Sequence, residues 1–220
     1  MQQVVITGAN RGIGLELARL YAGQGKRVIG VCRESSAALD QIAARVISSV
    51  DVTRDEDVRK LVEALDGESI DLLINNAGLL RDERLGTIDF DSIRQQMEVN
   101  AYAPLRVTEA LLPLLGQGAK VANITSRMGS MADNDSGGRY GYRASKAALN
   151  AFGKSLAMDL KGRGIAVALL HPGYVQTRMT GNTGQMTPEE SAAGIAARID
   201  ALTLDNTGSF WHSNGELLPW

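Results

Sequence analysis

Val4-Val5-Ile6-Thr7-Gly8-Ala9-Asn10-Arg11-Gly12-Ile13-Gly14 joins a β-branched run to a glycine-rich turn, and Leu15, Leu17, Ala18 and Leu20 then carry an apolar helical pattern. The stretch reads as a strand, a tight turn and a helix N-terminus. In such a turn backbone N–H groups can approach a pyrophosphate, and the helix dipole favours the negative charge. An ordinary glycine-bearing βα turn has the same letters, so the other motifs of the chain decide between the two. The spacing, Gly-x-x-x-Gly-x-Gly, differs from the Gly-x-Gly-x-x-Gly of many dinucleotide sites and points to a particular branch of nucleotide-binding proteins.

Outward from the turn, short β-branched runs at 4–6, 28–31, 46–50, 70–74, 121–124 and 165–170 alternate with helical patterns. That alternation predicts βαβ units, a parallel sheet and right-handed crossovers that cover both faces, an α/β architecture. The length of 220 residues fits one domain over 1–220. Residues 129–141 and 180–186 read as loops. Thr187-Pro188-Glu189-Glu190 opens a late helix through Ala192, Ile195, Ala196 and Ile199, with a short strand at 209–211 after it. A net charge of −2 gives no footprint for nucleic acid or an anionic membrane, and no apolar run is long enough to span a bilayer. Cys32 is the single cysteine and no leader pattern precedes Val4, so the expected location is cytoplasmic. Two histidines and one cysteine make no metal-ligand cluster; no metal site is expected.

Tyr142-Arg143-Ala144-Ser145-Lys146 places a phenol and an ammonium four residues apart, on one face of a helix. At ~4 Å and an effective dielectric of ~20, the cation favours the phenolate by ~4 kcal/mol, an upper limit of about three pKa units. Pairs at this spacing are common on helix surfaces, so the remaining motifs must decide whether this one is chemical.

With Thr7 to Gly14, Asn75-Asn76-Ala77-Gly78, Asn100, Ser126, Tyr142-x-x-x-Lys146 and Pro172-Gly173 in this order, the chain resembles the short-chain dehydrogenases/reductases. Thr187-Pro-Glu-Glu-Ser191 and Gly215-Glu-Leu-Leu-Pro-Trp220 resemble the small carbonyl reductases of the sniffer and C-factor type. The resemblance implies a Rossmann-like three-layer sandwich with about seven parallel strands in the order 3-2-1-4-5-6-7. It also implies a nicotinamide dinucleotide at the strands' carboxyl ends. Tyr142 is then the general acid of carbonyl reduction, and Lys146 lowers its pKa and binds the nicotinamide ribose. Ser126 polarises the carbonyl oxygen, with Thr125 beside it as a competing hydroxyl. Asn100 holds a water that links Lys146 to solvent; a helix-bending or surface polar residue is the bland alternative. Tyr140, two residues upstream, has no lysine at the required offset.

For the cofactor, the resemblance implies contacts from Gly8, Asn10, Arg11, Gly12, Ile13 and Gly14, and from Asp51 and Val52 at the adenine. Asn76, Ala77 and Gly78 would line the adenosine side. Pro172, Gly173, Val175 and Thr177 would wrap the carboxamide, with Tyr142 and Lys146 beside the ribose. Where an acidic residue would bind the ribose 2′-hydroxyl stands Cys32, followed by Arg33, whose guanidinium suits a 2′-phosphate. The expected cofactor is therefore NADP, with NAD the alternative and Glu34 the residue that would upset the register. His171 precedes Pro172 without a paired carboxylate and is read as structural, as is His212. The substrate segment, about 178–187, is short and offers Met179 and Met186, which suits a small aldehyde or ketone and the corresponding alcohol. An epimerase of the extended branch would need a longer C-terminal part. A signalling protein that keeps the fold while catalysis is secondary is the alternative function. Homodimer, homotetramer and monomer are all compatible with the apolar helices at 105–115 and 147–156.

Overall fold

The computed structural model describes residues 1–220. Seven strands, β1 (Gln3–Thr7), β2 (Arg27–Val31), β3 (Arg45–Ile47), β4 (Ile70–Asn75), β5 (Leu115–Ile124), β6 (Ala166–His171) and β7 (Phe210–His212), form one sheet in the order β3-β2-β1-β4-β5-β6-β7. Every adjacent pair is parallel. Period-two alternation decides which side chain meets which layer. Val4 and Ile6 join Leu72, Ile74, Ala122, Ala168 and Leu170 in one core under α1 (Gly12–Gly23) and α7 (Pro188–Asp200). Val5 joins Leu73, Val121 and Val167 in the other, under α3 (Asp55–Ala64), α5 (Ala103–Leu111) and α6 (Tyr140–Lys161). Two apolar faces per strand require helices on both sides, giving the three-layer arrangement. The short α2 (Ala37–Ile42) and α4 (Phe90–Met97) complete the helices.

Three elements differ from the sequence reading. The strand expected over 46–50 is only Arg45–Ile47, because Ser49 turns left-handed (φ 59°) and bonds back to the Arg33 carbonyl. The fifth strand begins earlier, at Leu115, and its register against β4 shifts between Ile70 and Leu72. The helix expected to carry Asn100 is interrupted by a π turn over Glu98–Tyr102, between α4 and α5. No helix is long and apolar enough to cross a membrane.

Between β1 and β4 the chain order reverses, so the carboxyl ends of these strands open a crevice. The glycine turn follows β1, and Asn76 to Gly78 follow β4.

Candidate active site

Thr7, the last residue of β1, ties the two halves of the crevice together. Its hydroxyl accepts from the backbone N–H groups of Asn76 (3.0 Å) and Ala77 (3.2 Å), while Asn76 Nδ2 donates to the carbonyls of Thr7 (3.0 Å) and Gly8 (3.1 Å). Gly8 is left-handed (φ 67°), and a Cβ there would sit 2.9 Å from Ala77 Cα. Only glycine meets both demands. Asn10 Nδ2 donates to the Glu34 carbonyl at 2.9 Å, joining the turn to the end of β2. The first turn of α1 has no side-chain cap and no acidic residue, unlike α2, α4 and α7, which Ser36, Asp89 and Thr187 cap. Its open N–H groups and the dipole make it the anion-receiving end. Across the crevice, Thr177 Cγ2 lies 3.5 Å from where a Gly12 Cβ would stand, so Gly12, Ile13 and Thr177 share one wall.

At the rim, Arg11 and Arg33 are exposed. Cys32 beside Arg33 is 4% exposed and packs in the α1-side core, with its thiol pushed up by burial, so it offers nothing to a ribose. Asp51 Oδ1 accepts from Thr53 N (3.0 Å) and Thr53 Oγ1 (2.7 Å), an Asx turn that presents Val52 half-buried at the edge of the crevice. Val175 is buried, and the segment after it is pinned at its base by Gln176 N to Met186 O (2.9 Å). The Pro172 carbonyl accepts from Ser191 Oγ (2.7 Å) and Ser213 Oγ (3.2 Å), which fixes the bend into Gly173. The short segment expected at the substrate begins with a 3₁₀ turn, Arg178–Thr180, which lays Met179 over Gly78.

Ser126 and α6 form the opposite wall. Thr125 Oγ1 donates to Asn150 Oδ1 at 2.7 Å and is 1% exposed, so it is spent inside the fold. Ser126 caps the following turn, its hydroxyl accepting from Met128 N at 3.1 Å, and acts on the Tyr142 phenol. This turn is held by Arg127, which pairs with Asp133 (3.2 Å) and Glu216 (2.6 Å), and by Ala132 N donating to the Trp220 carbonyl. Tyr142 (8% exposed) and Lys146 (4% exposed) occupy one face of α6, with Lys146 Nζ 5.8 Å from the phenol ring centre. Tyr140 is exposed. Lys146 Nζ donates to the Ile124 carbonyl at 2.8 Å.

Burial dominates both groups. It raises the pKa of Tyr142, with the Ser126 hydroxyl and the Arg139 charge acting in the opposite sense, and it pushes Lys146 down to about 7. The expected depression of Tyr142 by Lys146 is therefore not what governs the phenol. Asn100 is fully buried, and its amide is committed: Oδ1 accepts from Leu79 N (2.7 Å), and Nδ2 donates to Leu79 O (2.7 Å) and Ser145 Oγ (3.0 Å). The side chain thus clamps the strand-four connection to α6, with both Nδ2 protons and one of the two Oδ1 acceptor sites used.

One residue here was not anticipated from the sequence. Glu83, 3% exposed, accepts from Ser92 Oγ (2.7 Å), Gln96 Nε2 and Gly141 N (3.1 Å), placing a carboxylate on the first turn of α6, next to Tyr142. His171, by contrast, stands edge-on to His212 at 4.7 Å with its pKa pushed down to about 3 by burial, which agrees with a structural role.

Residues 2–188 match the family described as short chain dehydrogenase. The 1-hydroxy-2-glutathionyl-2-methyl-3-butene dehydrogenase of Rhodococcus sp. (strain AD45) is 42% identical, with both chains covered in full. The C-signal protein of Myxococcus xanthus is 45% identical over 154 residues, 69% of this chain and 93% of that protein. The crystal structure of a carbonyl reductase from Pseudomonas aeruginosa PAO1 in complex with NADP superposes with a TM-score of 0.84 at 34% identity, both chains covered in full. With the glycine turn at the sheet's switch point and Tyr142 and Lys146 together on α6, these matches place the chain in the short-chain dehydrogenase family.

Proposed function

We propose that the protein transfers hydride between NADP(H) and a small carbonyl or alcohol substrate, with Tyr142 as the general acid of reduction. The observation that carries this reading is the buried pair of Tyr142 and Lys146 on one face of α6, with Lys146 Nζ bonded to the Ile124 carbonyl at the end of β5, in the same fold as an uncapped glycine turn after β1. The chain fits the cofactor. Gly8 permits close approach, the α1 N–H groups receive a pyrophosphate, and Arg11 and Arg33 are exposed where a 2′-phosphate would lie. In this reading Asp51, Val52 and the Asn76–Gly78 backbone would hold the adenosine half, and Pro172, Gly173, Val175 and Thr177 the carboxamide. NADP in the Pseudomonas relative supports the same preference.

When bound, the nicotinamide supplies or accepts the hydride. The chain's own residues handle the proton. Ser126 Oγ orients the substrate oxygen. A buried phenol of raised pKa keeps its proton at neutral pH, as an acid must before reduction. Once that proton moves to the substrate oxygen, the phenolate left behind needs a cation, and Lys146, near 7, takes up a proton as the phenolate forms.

Tyr142→Phe should lower kcat by roughly 10²–10⁴ while NADPH still quenches protein fluorescence. A variant as active as the parent would end the acid assignment, and no turnover of aldehydes, ketones or quinones with either cofactor would end the reductase reading. Arg33→Ala should weaken NADPH about tenfold and leave NADH nearly unchanged in the same titration. The likeness to the C-signal protein favours a second reading, a signalling role with secondary catalysis. A biological effect preserved in Tyr142→Phe would support it, and loss of the effect with nucleotide binding intact would support catalysis.

A further inference from the structure

Ser126 is held from two sides. On one, the Ile124 carbonyl at the end of β5 accepts from Lys146 Nζ at 2.8 Å, and the turn Arg127–Gly129 is pressed on α6 so closely that a Cβ on Gly129 would stand 2.7 Å from the Lys146 carbonyl carbon. On the other, Arg127 reaches out of the turn to two carboxylates from different segments. Its Nε lies 3.2 Å from an oxygen of Asp133, and its Nη2 donates to Glu216 Oε1 at 2.6 Å. Arg127 follows Ser126 directly, so what fixes the guanidinium also restrains the backbone that aims Ser126 Oγ.

Glu216 is a firm anchor, because its own backbone is tied through both polar groups. Its N–H donates to Asn214 Oδ1 (2.9 Å) and its carbonyl accepts from His212 N (2.9 Å), in a tight turn that folds Leu217 back on Trp211 as an antiparallel bridge. Gly215 in this turn is left-handed (φ 99°), and a Cβ there would come within 2.7 Å of Arg198 Nη1 on α7. The same turn holds the bend after β6: Ser213 N donates to the His171 carbonyl (2.8 Å) and Ser213 Oγ to the Pro172 carbonyl (3.2 Å). A second strap runs beside the ion pair, from Ala132 N to the Trp220 carbonyl at 3.1 Å. The turn after β7 thus ties the Ser126 turn to the Pro172 bend.

The ion pair does little for the fold. The side chains of Arg127 and Glu216 are 41% and 50% exposed, and pairs so open to water contribute little to stability. Rates are more demanding than stability, since a misplacement of about 1 Å can cost on the order of a hundredfold. We propose that Glu216 is a positioning residue that acts through Arg127 to hold Ser126 where the carbonyl oxygen of the substrate requires it. This rests on, and deepens, the reductase reading of the site.

The test uses the full chain, NADPH and whichever aldehyde, ketone or quinone the parent turns over fastest. Glu216→Gln removes the charge and keeps the shape. It should lower kcat about tenfold, with KM, NADPH affinity and Tm nearly unchanged. Ser126→Ala alone should be slower by roughly 10²–10³, and adding Glu216→Gln to it should change the rate less than about twofold, because the residue through which Glu216 acts is gone. Single-turnover rates with enzyme in excess keep these slow variants measurable. A parental rate in Glu216→Gln, or the same fractional loss with and without Ser126, overturns the proposal and leaves the reductase reading intact. A parent inactive on every carbonyl substrate overturns both.

Discussion

Lys146 is an ammonium with no carboxylate against it, a Tyr142 ring above it and a single carbonyl acceptor. Its pKa stands at about 7 in the folded chain against 10.5 for the free group. Below about pH 7 both folded and unfolded chains hold the proton, and the folded state bears the whole desolvation penalty. Between about 7 and 10.5 the folded state has released it and the unfolded state has not, so stability rises with pH across this window. Lys146→Met should accordingly melt several degrees above the parent near pH 6, with the gap closing toward pH 10. Calorimetry across this range checks it, and a constant gap would mean that the lysine is not titrating. The spacing to Tyr142 made Lys146 legible in the sequence. Its burial was not legible, because burial belongs to the β5 end and the Ser126 turn, which cover it from elsewhere in the chain.

At the scale of elements, α6 is positioned by its first turn. Glu83 reaches that turn from the β4–α4 connection, and Gly141 is small because a Cβ there would come within 2.5 Å of Gln96 Nε2. Glu83→Ala leaves the donors on Gly141, Ser92 and Gln96 without their acceptor, which should cost ~3 kcal/mol and lower Tm by roughly 6–12 °C. Amide exchange should speed first at 140–143, and unchanged protection there would contradict the anchoring role. Strand and helix order were legible because β-branched runs and glycine turns are local signals. Glu83 was not, since Arg81-Asp82-Glu83-Arg84 reads as a solvated charge cluster and nothing local marks the one buried member. The π turn was equally silent: Gln96, Asn100 and Val107 continue an ordinary amphipathic pattern, and only the bonds of Asn100 to Leu79 and Ser145 show why a residue is accommodated out of step. Thr125 and Ser126 could not be ranked from their letters alone. The Asn150 acceptor, twenty-five residues away, takes Thr125 out of the site.

Over the whole molecule, the sheet reversal brings Thr7 to Asn76 and Ala77, so one hydroxyl couples the two halves of the fold. Thr7→Val keeps the shape and removes the acceptor. Two backbone N–H groups then lose their partner, which should cost ~2 kcal/mol and lower Tm by roughly 4–8 °C. Nucleotide affinity should fall with it, and an unchanged affinity in titration would separate the knot from the cofactor turn. The same knot also sets an order in time. Its partners lie 69 and 70 residues apart, so as the chain is synthesised the glycine turn has no clamp until β4 has emerged and docked on β1. The glycine turn, made well before β4, thus gains the clamp that fixes its working shape only once the second half of the sheet has begun to form.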